Sequence, residues 1–346
     1  MNARRAISVF LATLLCASAS RAETLNLLIW EDYIAESLID RWTEKTGVSI
    51  RQINFDSDDA RDEILADPGR NIDLVIVDEN GATLFGRKGI IEPLSETNLP
   101  ALADYAPQWR KSCAGYGLPY FWGTVGILYR SDVVTPPPTS WRDMMRPAPA
   151  LQKHIAMFAD HSEIFVPPLI LLGASVNADD TPTLKAAFAL LKTQAPFVLT
   201  YDYVVTSIQD PALAGNIYLA LGYSGDQHVL NSKAGKAGLW RYAVPKEGTL
   251  SWLDCFSVTA ASPRKQRALE FLNFIGSPEA AAANAIALNM PTASSAALKL
   301  LPETMRSDPE IYPPSEIMAK NQHHQELSVR SIEARRRIIN TLANFQ

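Results

Sequence analysis

The sequence predicts an α/β protein built on mixed, mostly parallel β-sheets. Short, continuous apolar runs, which are typical of strands buried on both faces, alternate with segments whose apolar residues recur at helical spacing. This alternation favours parallel strands joined by helices. A length of 346 residues with 47% hydrophobic residues indicates a globular chain of roughly two domains.

The first 90 residues carry three predicted strands and two predicted helices. Apolar runs predict strands over residues 25–30, 48–55 and 72–77. Helical spacing predicts helices over residues 34–46 and 80–88, and a glycine follows each of them as a stop signal, Gly47 and Gly89.

The remainder of the chain repeats this alternation. Strands are predicted over residues 154–158 and 217–221, and helices over residues 162–172, 183–193, 269–287 and 326–342. The proline run at 136–138 predicts a crossing between domains near that point. The arginines of the last helix are predicted to form a solvated face: Arg330, Arg335, Arg336 and Arg337.

Residues 1–22 have the pattern of a secretory signal peptide. Arg4 and Arg5 precede an apolar run and a small-residue tail that ends at Ala22. The alternative is that Cys16 is a lipoprotein cysteine, but the large Leu15 before it disfavours this interpretation. Cleavage after Ala22 lowers the basic residues from 32 to 29 against 37 acidic ones, a net charge of −8.

The mature chain keeps two cysteines, Cys113 and Cys255. An oxidising compartment permits a bridge between them, but a single pair is not a disulfide framework. The sequence leaves their state open.

Composition and motifs exclude several classes of function. The acidic balance argues against a nucleic-acid-binding protein, which needs a basic face. Dinucleotide, P-loop, zinc-protease and C-x-x-C signatures are missing from the sequence, so no cofactor and no metal are expected. The acidic run 56–63 lacks the glycine and final glutamate of an EF-hand loop, and it is interpreted as a solvated helix start.

A secreted hydrolase that uses Ser224 is the alternative from another class. The string Gly222–Gly225 resembles a nucleophile elbow only loosely, because it is one residue short of G-x-S-x-G. Asp226 and His228 are close in sequence, whereas catalytic triads are assembled from distant segments.

Aromatic and acidic side chains recur together at five predicted strand ends. These residues are Trp30, Asp32 and Tyr33; Asp78; Asp160 and Glu163; Tyr223 and Asp226; and Trp252 and Asp254. Each alone is explained by core packing or by a helix N-cap. Ligands of open α/β sheets bind beyond the carboxyl ends of strands, so the recurrence favours one shared cleft. Aromatic faces and carboxylates together suit a flexible organic cation.

An ordered set of strings resembles the bacterial periplasmic spermidine/putrescine-binding proteins over nearly the whole mature chain. The strings are LLIWEDY at 27–33, DLVI at 73–76, LPYFWG at 118–123, PKEG at 245–248, SWLD at 251–254 and ALEFLN at 268–273. The resemblance implies a two-lobed type II periplasmic binding protein with crossing hinge segments. Lobe one would be residues 23–128 with 253–297, and lobe two residues 129–252 with 298–346.

The resemblance also implies that linear polyamines bind between the lobes. Trp30 and Tyr33 would form an aromatic wall, and Asp32 would contact an amine. Asp160 and Glu163 would recognise a terminal amine. Trp252 and Asp254 would anchor an inner amine, and Tyr223 takes the place of a tryptophan in a string that ends at Asp226.

Two positions depart from the family pattern and leave the exact ligand open. Asp78 stands where the family has a Pro-Ser string, and Met290 stands where it often has an aromatic residue. An added carboxylate favours a tri- or tetra-amine over putrescine, provided that it faces the pocket. Another organic cation or an amino acid in the same fold is a further alternative.

The resemblance implies two possible partners for a monomeric periplasmic protein. One is an inner-membrane ABC permease, for uptake. The other is a periplasm-facing membrane receptor that controls cyclic-di-GMP and biofilm formation, as in norspermidine-sensing relatives. Transport is expected first, because it is the commoner use of the fold.

Overall fold

The computed structural model of the protein describes residues 23–55 and 57–345. The predicted signal peptide, residues 1–22, lies outside this range. Within the described residues, no helix has both the length and the apolar character needed to cross a membrane.

The strands form one mixed sheet that is continuous through both lobes. Their bounds are β1 Thr24–Trp30, β2 Ser49–Phe55, β3 Leu74–Asp78, β4 Leu118–Arg130, β5 Ile155–Ala156, β6 Val198–Thr200, β7 Leu219–Tyr223, β8 Trp240–Ala243, β9 Leu250–Val258 and β10 Gln322–His323. The order is β2-β1-β3-β9-β4-β7-β5-β6, with β10 paired to β9 and β8 paired to β4.

Helices cover the sheet of each lobe. Their bounds are α1 Glu36–Thr46, α2 Asp58–Ala66, α3 Glu79–Arg87, α4 Pro107–Ser112, α5 Trp141–Met145, α6 Val166–Leu171, α7 Thr181–Gln194, α8 Val204–Ser207, α9 Pro211–Ala214, α10 Asp226–Ala234, α11 Lys265–Ile275, α12 Pro278–Leu288, α13 Ser295–Leu298, α14 Glu303–Arg306, α15 Ser315–Met318 and α16 Val329–Leu342.

Two long strands cross between the lobes. The first part of β4, from Leu118 to Thr124, pairs antiparallel with β9. From Val125 onward, β4 pairs with β7, and its last residues pair with β8. β9 also pairs with β3 of the first lobe. Residues near this crossing therefore lie between the lobes.

Each lobe has its own hydrophobic core. The first core gathers buried residues of β1, β3, α1 and α11, and the main core of the second gathers residues of α5, α6, α7 and β7. Leu301, Met305 and Ile311 pack in the first core, although the predicted boundary after residue 297 places them in lobe two. The boundaries themselves stay a prediction.

Two predicted helices differ from the structure. The expected helix 269–287 is two helices, because Pro278 cannot donate the backbone bond that would continue α11, and it instead occupies the first turn of α12. The expected helix 162–172 is a 3₁₀ turn, Glu163–Phe165, followed by α6.

Arg335 of α16 is fully buried, so its prediction as part of a solvated face is wrong. Its guanidinium donates hydrogen bonds to the carbonyl oxygens of His161, Val176 and Ala178 at 3.2, 2.8 and 2.8 Å. It also lies 4.9 Å from the ring centroid of Phe165. Carbonyl acceptors and an aromatic face offset the cost of burying this cation.

Cys113 and Cys255 form a disulfide with a Cα–Cα distance of 5.7 Å. The bridge joins the end of α4 to β9 inside the first core. It closes a loop across a sequence separation of 142 residues. The bridge therefore fixes one of the crossing strands to lobe one.

Candidate ligand-binding site between the lobes

Trp252 and Asp254 lie inside β9 and not at a strand end, which corrects the predicted position. Because side chains alternate along a strand, both residues occupy one face, and Leu253 and Cys255 fill the core from the other. The hydroxyl of Tyr33 donates a hydrogen bond to Asp254 Oδ2 at 2.7 Å. β9 thus presents an indole and a carboxylate side by side.

Burial raises the pKa of Asp254 to about 7. The hydrogen bond from Tyr33 acts in the opposite direction, and the negative charges of Asp78 and Asp58 add to the rise. The carboxylate is therefore costly to keep charged in the protein alone, and a cation placed against it would be strongly stabilised.

Tyr33 is held from behind by a chain of polar contacts. The Tyr120 hydroxyl donates to the carbonyl oxygen of Tyr33 at 2.9 Å, and Asn284 Nδ2 donates to the Tyr120 hydroxyl at 2.6 Å. Asn284 Oδ1 accepts from the backbone N–H of Ala35 at 2.8 Å. This network fixes the backbone at Tyr33, from which its side chain reaches Asp254.

Asp78 lies directly opposite Asp254 in the antiparallel pair β3–β9. It ends β3 and caps α3, because its Oδ1 accepts from the N–H of Gly81 at 2.8 Å. The role of Asp78 as the N-cap of α3 is thus compatible with its predicted role in ligand binding. Two carboxylates on neighbouring strands give the lobe-one side of the cleft a concentrated negative charge.

The arginine of lobe one whose charge acts on Asp254 forms ion pairs with other acids. Arg61 of α2 is buried and forms ion pairs with Asp58 at 2.7 Å and Asp62 at 2.8 Å. Its guanidinium also lies 5.5 Å from the ring centroid of Phe85. The acidic helix start, expected to be solvated, thus holds a buried arginine.

Asp160 and Glu163 bring two carboxyl groups together on lobe two. Asp160 Oδ1 accepts from the backbone N–H of Ser162 at 2.7 Å and of Glu163 at 3.3 Å. Burial acts to raise the pKa of Asp160, but interactions with Glu163 and His161 and the hydrogen bond from the backbone N–H of Ser162 outweigh it and lower the pKa below its usual range.

Glu163 is the acid of this pair that is harder to ionise. Burial and the neighbouring Asp160 raise the pKa of Glu163 well above its usual value. His324 Nε2 lies 3.3 Å from Glu163 Oε1, and burial lowers the pKa of this histidine. Two close acids cannot both ionise easily without a cation nearby, so the pair is prepared for one.

Tyr223 connects the two acidic regions. Its ring lies 6.3 Å from that of Trp252 in an edge-on arrangement and 5.5 Å from that of Phe158. Burial raises the pKa of Tyr223 well above its usual value, and the charges of Glu163 and Asp160 add to this. The ring contact therefore connects the face of β9 that carries Trp252 and Asp254 to the tyrosine on which Glu163 and Asp160 act.

The carboxylate of Asp226 accepts hydrogen bonds from donors within the protein. The hydroxyl of Tyr203 donates to its Oδ1, and the backbone N–H of Tyr223 donates to its Oδ2 at 2.7 Å. Burial raises its pKa to about 6, and these two hydrogen bonds oppose the rise. Its contacts hold the Tyr223 backbone, while its predicted role in ligand binding stays a prediction.

The remaining predicted residues have separate surroundings. The ring of Trp30 packs against Phe55 at 4.3 Å between centroids, at the end of β1. Asp32 is exposed and has a left-handed backbone conformation with φ 52°. Met290 is partly buried against the first core. Ligand contact by these three residues also stays a prediction.

Ser224, the residue of the hydrolase alternative, is buried, and its Oγ accepts a hydrogen bond from the backbone N–H of Thr124 at 3.1 Å. Burial lowers the pKa of His228. The Nε2 atom of His228 has no hydrogen-bond partner in the described part of the chain.

No lysine or arginine forms an ion pair with Asp78, Asp160, Glu163 or Asp254 within residues 23–55 and 57–345. The ion pairs that these acids make are with His161 and His324. In the same ranges, no group of three or more His, Cys, Asp or Glu side chains is arranged to hold a metal ion.

Sequence reasoning missed the residues that support the site: Tyr120, Asn284, His324 and Arg335. Asn284 left a signal, since it is the lone amide within the alanine-rich helix α12. His324 and Arg335 left none, because their partners come from segments more than 150 residues away.

The two-lobed architecture, with β4 and β9 crossing between the lobes, is that of type II periplasmic binding proteins. The chain belongs to the bacterial extracellular solute-binding protein family, whose model matches residues 37–313. Among curated proteins, it is 35% identical to the norspermidine sensor of Vibrio cholerae, over 98% of this chain and 94% of the relative. It is 30% identical to a putrescine-binding periplasmic protein of Pseudomonas aeruginosa, over 88% of this chain and 87% of the relative.

A solved structure has the same fold. The spermidine/putrescine ABC transporter substrate-binding protein of Streptococcus pneumoniae superposes with a TM-score of 0.82 at 23% identity, covering 93% of this chain and 99% of that one. These comparisons agree with the family and fold class predicted from the ordered strings.

Proposed function

We propose that the protein is a periplasmic binding protein that captures linear polyamines in the cleft between its lobes, without catalysis. The relatives named for putrescine and norspermidine support the ligand class. The relative described as periplasmic supports the compartment, and the predicted signal peptide agrees with it.

One observation carries the proposal: acids from both lobes have no lysine or arginine partner in the described chain, and aromatic rings lie between them. Asp254 and Asp78 form one end, and Asp160 and Glu163 form the other. An extended polyamine has ammonium groups separated by methylene chains, so it would meet carboxylates at the ends and the rings of Trp252 and Tyr223 between.

The magnitudes are compatible with tight binding. Aromatic contacts with a cation contribute about 0.5–2 kcal/mol each, and charge-assisted hydrogen bonds contribute about 1.5–3 kcal/mol each. Micromolar affinity requires about −8 kcal/mol, which several such contacts reach after the ordering cost of the ligand. Asp78 beside Asp254 supports a tri- or tetra-amine over putrescine.

Calorimetry with spermidine, norspermidine, spermine and putrescine tests the proposal, with an amino-acid panel as the alternative. We expect one site per chain and at least a tenfold loss of affinity, about 1.4 kcal/mol, in Asp254→Ala and in Trp30→Ala. The surface variant Asp40→Ala on α1 is the control and should bind as wild type. Absence of binding to every amine would remove the proposed ligand class, and normal binding by both site variants would remove the proposed site.

Sensing is a second candidate output, favoured by the identity to a norspermidine sensor. In transport, the loaded monomer would dock on an inner-membrane ABC permease. In sensing, it would dock on a periplasm-facing membrane receptor that controls cyclic-di-GMP. Uptake of labelled spermidine by cells with and without the gene distinguishes the two, because only the transport role predicts loss of uptake.

A further inference from the structure

We propose that His323 is a positioning residue whose protonated form links the lobes through Glu79, so that ligand affinity gains a component that increases as the pH falls. The affinity part of this inference rests on the proposed polyamine function. The link itself is a property of the ligand-free protein.

The contact joins the crossing segment to lobe one. His323 belongs to β10, which pairs with β9 at Leu250 and Ser251. Its Nδ1 atom lies 3.6 Å from Glu79 Oε2, and Glu79 is the first residue of α3. The Glu79 side chain is 16% exposed and that of His323 is 51% exposed, so the pair is partly shielded from solvent.

The segment 321–325 is attached to lobe two by groups that do not titrate. The Gln322 side chain accepts from the N–H of Val176 at 2.9 Å and donates to the carbonyl oxygen of Ala174 at 3.2 Å. The side chain of Asn177 donates to the carbonyl oxygen of His323 at 2.9 Å. His323 is therefore part of a segment that is hydrogen-bonded to lobe two, and its side chain contacts an acid of lobe one.

The pH dependence of the link follows from the charge that faces His323. In the described chain, Glu79 is the charged group that acts on it, and the close contact with this carboxylate raises the pKa of His323 above its usual value. The protonated form is thus favoured while the two residues touch. The link contributes fully below about pH 6.5 and is lost as the pH rises through the raised pKa.

The adjacent His324 has the opposite behaviour and is the matched control. It contacts Glu163 of lobe two, and burial lowers its pKa. Asp78, Asp160 and Glu79 also act on it and favour its charged form, whereas the positive charge of Arg335 opposes that form. His324 is therefore neutral where His323 becomes charged.

The experiment compares spermidine affinity of wild type, His323→Gln, His324→Gln and Glu79→Gln between pH 5.5 and 8.5. Titration of the cleft acids affects wild type and variant alike, so it cancels in the ratio of their dissociation constants. For His323→Gln and Glu79→Gln, we expect the variant to bind about twofold to fivefold more weakly near pH 6, the range for partly exposed ion pairs, with a ratio near one at pH 8.5. The double variant should lose no more than either single variant.

His324→Gln should change the affinity by a factor that stays constant from pH 6.5 to 8.5. A ratio for His323→Gln that does not vary with pH, or tighter binding by this variant at low pH, would overturn the proposal. Thermal unfolding without ligand gives a second, independent readout: His323→Gln should lower the melting temperature at pH 6 and leave it unchanged at pH 8.5. If no polyamine binds but this shift is present, the proposed function fails and the link stands. Equal melting temperatures at both pH values would show that the link is absent.

Discussion

The raised pKa of Asp254 predicts that polyamine binding releases protons. In the free protein, the carboxyl titrates near pH 7 because it is buried beside Asp78 and has no cationic partner among the described residues. A bound ammonium group requires the charged form, so it lowers this pKa and expels the proton. The affinity should therefore rise with pH through 7 and be lost as the pH falls.

The expected magnitude follows from the pKa of about 7. At pH 6, about one molecule in eleven has this carboxylate charged, and at pH 8 nearly all do, so Asp254 alone makes binding about tenfold tighter at pH 8. One pKa unit corresponds to about 1.4 kcal/mol. Calorimetry at pH 7 in buffers of different ionisation enthalpy measures the released protons directly.

Two variants separate the contribution of Asp254 from that of other groups. Asp254→Asn should reduce the number of released protons while leaving the part that comes from Glu163, whose pKa is also raised. Asp40→Asn, on the exposed face of α1, should behave as wild type. Equal affinity at pH 6 and pH 8, with no proton release by wild type, would refute this reasoning about the site.

Three further predictions concern the groups that hold the site. Tyr33→Phe removes the hydrogen bond to Asp254 and should weaken spermidine binding at pH 7 by about fivefold, about 1 kcal/mol, in calorimetry; unchanged affinity would show that this hydroxyl does not matter. Arg335→Met leaves three carbonyl oxygens without their donor, so it should lower the free energy of unfolding in urea by about 3 kcal/mol or more. Replacing the exposed Arg336 by Met should change this free energy by no more than about 0.5 kcal/mol. Replacing Cys113 and Cys255 by alanine together opens the long loop and should lower the unfolding free energy by about 2–5 kcal/mol; an unchanged midpoint would contradict this.

Local signals in the sequence predicted much of lobe one. The apolar runs of β1 and β3 form strands, and α1 ends at Gly47, which has a left-handed backbone with φ 70°. These signals suffice because they depend on neighbouring residues. Trp252 and Asp254 were instead predicted at a strand end, although the alternation of Leu250–Val258 is itself the pattern of a strand with one face in the core.

Long-range contacts account for what the sequence could not supply. α16 carries several arginines, and only the fold determines which one meets the carbonyl oxygens of the 161–178 region. Likewise, the sequence around the histidine pair 323–324 has no metal or catalytic signature. Only the fold shows that His323 contacts Glu79 of lobe one and that His324 contacts Glu163 of lobe two. The spacing of residues along the chain does not predict such long-range contacts.

The distribution of charge around the cleft connects these observations. Arg61, whose charge acts on Asp254, is paired with Asp58 and Asp62, and Arg335, which interacts with the charges of Asp160 and Glu163, donates to carbonyl oxygens. Both arginines lower the electrostatic cost of the cleft acids from a distance, without filling the positions where a ligand ammonium would sit. A lysine placed directly on Asp254 or Glu163 would form an ion pair that a ligand cation has to break, and breaking a buried ion pair is costly. The acids that lack a lysine or arginine partner thus leave room for the ammonium groups of a ligand. Burial raises the pKa of two of them, Asp254 and Glu163, so these two are the costliest to keep charged without a ligand.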